Sequence, residues 1–277
     1  MTTPLPEPLS VAAIQMSSQD DVAKNLTRAS ALVEDAAGRG AEIAVLPENF
    51  AFMGEEDEKR RIAEPGDGTG PILQAVRELA RRAKVHVVAG GMPEKSGDAA
   101  RPFNTSFLVA PDGSIAGRYR KVHLFDVEIP HGPTLVESNA TTAGDLDVRV
   151  VDACGTKIGM TVCYDLRFPE LYRKLGALGA RIVTVPAAFT LTTGKDHWHT
   201  LLRARAIENQ VFVVAAAQHG KHPRGRMTYG KSLVVDPWGD VLAQAGEGEG
   251  YALARLDFAY QDQVRAGLPC LTHRRFP

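Results

Sequence analysis

The chain has 277 residues, of which 44% are apolar and 23% charged, so it can bury a large core and is not a disordered tract. Thirty-two Lys and Arg against 33 Asp and Glu leave a formal charge of −1. That balance excludes the basic footprint of a general nucleic-acid binder. No stretch approaches the roughly 18 consecutive apolar residues of a membrane helix, and MTTPLPEPLS lacks the basic head and apolar run of a signal peptide. Three cysteines, Cys154, Cys163 and Cys270, are too few and too unevenly placed for a disulfide framework, which points to a reducing cytoplasm.

In chain order, LSVAAIQM (9–16) reads as a buried strand. Leu26 to Arg39, with Ala29, Leu32, Val33 and Ala36 on one face, reads as a helix ended by Gly40. AEIAVLPE (41–48) is a strand stopped by Pro47, Pro71 to Lys84 a helix with Pro in its first turn, and VHVVAGGM (85–92) a strand. NTSFLVA, the turn PDGS and SIAGRYRKVHL form a hairpin pattern. Residues 148–165 hold two strands around a turn at Cys154–Lys157, and Phe168 to Gly179 is a helix. RIVTVPAAF (181–189) is a strand, Asp196 to Asn209 a helix, and VFVVAAAQ (211–218) a strand. A hairpin around Asp236–Gly239, a last strand GYALARLDF and a polar tail from Gly267 complete the chain. No linker or internal repeat divides it, so one α/β domain of layered helices over mixed sheets is expected.

Three residues sit where such folds place chemistry. Cys163 ends the strand pattern KIGMTVCYD just before a helix, a position that suits a thiolate; the plainer reading is a buried core cysteine. Glu48 also follows a strand, and an isolated glutamate there is ordinarily a solvated loop acid. In RYRKVHLFD, alternation puts Tyr119, Lys121 and His123 on one face, where Lys121 is either inward-pointing or an edge-strand guard. His197 with His199, and His219 with His222, lack carboxylates or thiols at ligand spacing, so no metal is expected. The loop GDGTG (66–70) has neither the preceding strand nor the following Lys-Ser/Thr of a phosphate cradle.

Together, LPENF around Glu48, RYRKVHLFD around Lys121 and TVCYDLRFPELYR around Cys163 resemble the nitrilase, or carbon–nitrogen hydrolase, superfamily. Their order and separation match too, with 73 residues from Glu48 to Lys121 and 42 from Lys121 to Cys163. KVHLFDVEIP, AAFTLTTGKDHWHTLLRARAIENQ, YGKSLVVDPWGD and LPCLTHRRFP are similar to its Nit branch. The resemblance implies a four-layer αββα sandwich over residues 8–260 and a tail, 261–277, at a homodimer interface. It implies Glu48 as general base, Lys121 as oxyanion stabiliser, Cys163 as nucleophile, and Glu137 as a second glutamate touching the lysine. Tyr164, Arg167, Phe189 and Thr193 match substrate-pocket positions; otherwise Arg167 would pair with Asp165 or Glu170. The segment His131–Thr134 is expected near the pocket entrance. The implied reaction is hydrolysis of a linear amide without cofactor or metal. Its substrate would be deaminated glutathione, giving 2-oxoglutarate and cysteinylglycine, or small α-keto acid amides such as α-ketoglutaramate. Neither nucleic acid nor membrane is an expected partner.

Overall fold

A computed structural model describes residues 7–128, 134–148 and 150–276. Its elements are β1 (Leu9–Gln15), α1 (Val22–Gly38), β2 (Ile43–Val45), α2 (Pro71–Ala83), β3 (His86–Glu94), β4 (Phe103–Val109) and β5 (Ile115–Arg120). After a small hairpin, β6 (Asp126–Glu128) and β7 (Thr134–Val136), come β8 (Val150–Ala153), β9 (Thr156–Met160), α3 (Pro169–Ala177), β10 (Ile182–Thr184), α4 (Leu191–Asn209) and β11 (Phe212–Ala215). A second hairpin, β12 (His219–Lys221) and β13 (Met227–Tyr229), precedes β14 (Leu233–Val235), β15 (Val241–Gln244), β16 (Gly250–Leu256) and α5 (Phe258–Gly267).

Two six-stranded sheets form the body, ordered β16-β1-β2-β3-β4-β5 and β15-β14-β11-β10-β9-β8. In each, three central strands run parallel and the outer ones antiparallel. Helices α1 and α2 pack on the first sheet, and α4 with its neighbour α3 on the second. The result is the expected αββα layering. Strand alternation explains how one short strand serves two cores. Val11, Ala13, Ile43 and Val45 face the second sheet, while Ala12, Ile14, Ala44 and Leu46 face α1 and α2. Both sides are covered, so these strands read as unbroken apolar runs.

Helix boundaries differ from the sequence reading where capping, not apolar periodicity, sets them. Helix α1 starts four residues earlier than expected because Asp21 accepts from the Lys24 N–H at 3.1 Å. Helix α4 starts at Leu191 rather than Asp196, capped by Thr190. Helix α5 is absent from the sequence reading. Its buried Phe258, Gln261 and Val264 attach it to the body, so the boundary drawn at 260 falls inside a packed helix. Residues His131 to Pro133 of the segment expected at the pocket entrance lie outside the described residues.

The two sheets meet at the Gly90–Gly91 bulge of β3. A Cβ on Gly90 would stand 2.2 Å from the Leu46 carbonyl oxygen and 2.3 Å from Pro186. One on Gly91, whose φ is +38°, would stand 2.8 Å from the Glu48 side chain and 2.6 Å from Asn104 Oδ1. Backbone cannot yield as a flexible side chain can, so Gly90→Ala should destabilise the fold by about 1–3 kcal/mol, read from denaturant unfolding. A stability within error of wild type would show that the strands separate freely here.

Candidate active site

Parallel strands in open α/β sheets present their carboxyl ends to ligands. Here the ends of β2, β9 and β10 come together with the end of β5. They deliver Glu48, Cys163, the segment Pro186–Phe189 and Lys121, respectively. Lys121 is 2% exposed, and its Nζ donates to Glu48 Oε1 at 3.0 Å and to Glu137 Oε1 and Oε2 at 3.0 and 2.7 Å. Asn104 Nδ2 bridges the same two carboxylates, at 2.9 Å to Glu48 and 3.3 Å to Glu137. The Phe125 N–H donates to Glu137 Oε2 at 2.7 Å. Sequence reasoning missed Asn104, because an asparagine inside a strand carries no local signal of a functional partner.

Cys163 opens a 3-10 turn, Cys163–Arg167, rather than an α-helix, and α3 begins only at Pro169. Its φ of +49° is unusual for a residue with a Cβ, and Asn49, next to Glu48, has φ +60°. Such conformations persist only when their surroundings hold them. The Cys163 N–H donates to the Pro186 carbonyl at 2.8 Å, and its sulfur engages the Glu48 carboxylate and the Ala188 N–H. The chief clamp is Asp165, fully buried. It accepts from the Val162 N–H (2.9 Å), Tyr119 Oη (2.8 Å) and the His123 N–H (3.1 Å), and contacts His123 Nδ1 at 2.7 Å. One carboxylate thus ties the cysteine turn to the segment bearing Lys121. Tyr119, Lys121 and His123 do share an inward face, as alternation requires.

Electrostatics set the resting protonation. Burial works against the Lys121 ammonium, but Glu137 and Glu48 outweigh it and hold the lysine well above its ordinary range. Burial likewise raises Glu48, and Lys121 beside it brings the net shift downward, so Glu48 is a carboxylate. Burial and the Glu48 charge push the Cys163 thiol well up, against Lys121 and the Ala188 N–H. The sulfur therefore rests protonated: the position that suits a thiolate in sequence is outweighed here by burial and the Glu48 charge. The site is a neutral thiol beside an ionised base.

A cavity of about 180 Å³ opens over Cys163, lined also by Glu48, Lys121, Glu137, Phe125, Phe189 and Thr193. Tyr164 and Arg167 are not among the described residues that line it. The Tyr164 ring meets Phe125 and Phe168 edge-on. Arg167 lies over the rings of Tyr164 and Phe189 and reaches His197 Nδ1 at 3.2 Å, pairing with neither Asp165 nor Glu170. Cys154 contacts His86 Nδ1 at 3.0 Å, and burial raises its thiol to about 11. All three cysteines are free. Among the described residues no three His, Cys, Asp or Glu side chains are grouped to hold a metal, and no helix is long and apolar enough to cross a membrane.

The carbon–nitrogen hydrolase profile matches residues 10–266. The chain belongs to the carbon–nitrogen hydrolase family. As a member it is a hydrolase acting on carbon–nitrogen bonds. It is 46% identical to the deaminated glutathione amidase of Synechocystis over 98% of this chain and 99% of that one. Among solved structures, Saccharomyces cerevisiae Nit3, a member of branch 10 of the nitrilase superfamily, superposes with a TM-score of 0.89 at 33% identity, covering 99% of each chain. The Caenorhabditis elegans NitFhit protein superposes at 0.91 with 41% identity, where this chain spans 66% of that fusion.

The raised thiol makes a pH prediction for this carbon–nitrogen hydrolase. A group with elevated pKa is protonated at neutrality, so Cys163 alkylation by iodoacetamide should keep accelerating beyond pH 9. Mass-spectrometric labelling rates across pH test this; a plateau below pH 7 would mean a resting thiolate. Asp165→Asn replaces an acceptor with a donor facing four donor groups. It should cost about 2–4 kcal/mol in chemical unfolding.

Proposed function

We propose that the protein is an amidase that hydrolyses deaminated glutathione to 2-oxoglutarate and cysteinylglycine, with Glu48, Lys121 and Cys163 as its catalytic triad. The observation carrying this reading is the meeting of those three buried side chains in one cavity, in a chain nearly half identical to a full-length relative named for that activity.

An unactivated amide needs a nucleophile, charge stabilisation on its oxygen and a proton for its nitrogen. Cys163 is neutral, so attack and deprotonation are coupled: as sulfur bonds to the amide carbon, its proton moves to Glu48. The developing oxyanion faces the Lys121 ammonium. A second donor is the Tyr164 N–H, which among the described residues has no backbone acceptor outside its own turn. One such donor is worth roughly 3 kcal/mol. Glu137 and Asn104 keep the lysine charged and pointed. Collapse breaks the carbon–nitrogen bond, and Glu48 returns the proton to the leaving amine. A thioester remains on Cys163. Glu48 then takes a proton from water as it attacks, releasing the acid and restoring the thiol. Phe189 and Thr193 bound the acyl part of the cavity. Arg167, behind Phe189, supports that ring and orients the keto-acid end through it. A cytoplasmic homodimer whose C-terminal tail meets the partner completes the proposal; Leu268 and Phe276 are exposed on that tail.

Cys163→Ala should fold normally and lose all turnover of deaminated glutathione, followed by release of 2-oxoglutarate. Glu48→Gln should fall by at least about a thousandfold, because both proton transfers use it. Appreciable hydrolysis by the alanine variant would end the scheme. Activity on a nitrile or an N-carbamoyl amino acid but not on deaminated glutathione would end the substrate assignment.

A further inference from the structure

The proton path directs the leaving group. Glu48 must reach the departing nitrogen while Lys121 holds the oxygen, so the amine half of the substrate stands against the Glu48 wall. Asn49, Glu56, Lys59 and Arg226 line the same cavity, with Arg226 against Glu56. Lys59 is 7% exposed, and its charge is felt at Glu48.

These charges are unbalanced. One carboxylate, Glu56, is shared by two cations: Lys59 Nζ lies 2.7 Å from its Oε2 and Arg226 Nη1 2.9 Å from its Oε1. The carboxylate is held down at a pKa of about 2, so it is ionised and the group of three carries one net positive charge. Arg224 does not change this, because it pairs separately with Glu55. Among the described residues, the buried Arg226 Nε–H also finds no acceptor. The opposite excess, two carboxylates around the Lys121 ammonium, lies with Cys163 at the reacting end of the cavity. Arg226 is not on a loose loop. Its hairpin is anchored by buried His222, whose Nδ1 meets the Ser18 carbonyl and whose Nε2 meets Thr228 Oγ1, each at 2.7 Å.

We propose that Arg226, with Lys59 beside it, forms a carboxylate subsite for the leaving peptide and receives the glycyl carboxylate of the cysteinylglycine half. The inference rests on the deaminated glutathione reading above and adds the residue that distinguishes a peptide leaving group from ammonia. Guanidinium and carboxylate match as paired donors and acceptors. The cavity offers this anion a net cation on the side where the amine departs.

The test compares deaminated glutathione with its C-terminal carboxamide, in wild type and in Arg226→Met. In wild type the carboxamide should lose about tenfold or more in kcat/KM, mostly through KM, the worth of a charged hydrogen-bonded pair. In Arg226→Met the ratio between the two substrates should collapse to near one. Equal loss on both substrates in the variant would make Arg226 merely structural, and wild type treating both alike would remove the subsite; either result overturns the inference while the substrate reading stands. Wild type that cleaves α-ketoglutaramate but neither peptide overturns the substrate reading itself. If Arg226→Met does not fold, the wild-type comparison with Arg226→Lys, which keeps the charge and should keep part of the preference, decides the matter.

Discussion

A lysine ammonium buried to 2% exposure is the constraint on which the rest depends. Removing such a charge from water is costly unless opposite charges and hydrogen bonds replace the solvent. Lys121 has two carboxylates within 3.0 Å, one following β2 and the other after the β6–β7 hairpin. Neither is near it in sequence, so satisfying the lysine obliges three separate segments to converge. Asn104 and the Phe125 N–H then fill remaining acceptor sites on those carboxylates. The cluster that satisfies the lysine also determines the chemistry. With two carboxylates against one ammonium, the region has no spare positive charge for a thiolate, and the sulfur stays protonated until substrate arrives.

The second carboxylate of consequence, Asp165, serves geometry rather than proton transfer. Its contacts with Val162, Tyr119 and His123 bind the two sheets' contributions into one unit. They also hold Cys163 in a left-handed conformation that a free chain would leave. The glycine pair in β3 does the complementary work of making room, letting Leu46, Pro186 and Glu48 pass closer than any side chain allows. Precision in this site comes from buried polar bonds and from missing Cβ atoms, both supported by two close-packed cores.

Much of the architecture was legible because covered parallel strands write themselves as apolar runs and helices as periodic stripes. Leu9 to Met16 and Ala41 to Glu48 are such runs, and Ile72, Leu73, Val76 and Leu79 such a stripe. Helix starts were less legible where a cap preceded the stripe, as at Asp21 and Thr190. Helix α5 escaped because its buried set includes Gln261, which is buried through hydrogen bonds to the carbonyls of Arg181 and Gln210 rather than by hydrophobicity. Of the pocket residues expected from motif, Phe189 and Thr193 line the cavity, whereas Tyr164 and Arg167 stand outside its described lining. Motif position specifies backbone location, while a side chain's direction depends on its packing neighbours.

The sequence by itself determined most strands and helices of the two main layers and, through motifs that resemble a known family, the three residues that suit amide hydrolysis, since these depend on local pattern. Only the tertiary structure decided that Cys163 rests as a thiol, that Asn104 and Asp165 hold the site, and that Lys59, Glu56 and Arg226 form a charged rim. Each of these is a property of burial and of distances between segments up to 170 residues apart. A protonation state or a net local charge has no representation along the chain, because it is set by what surrounds a group after folding has removed the water.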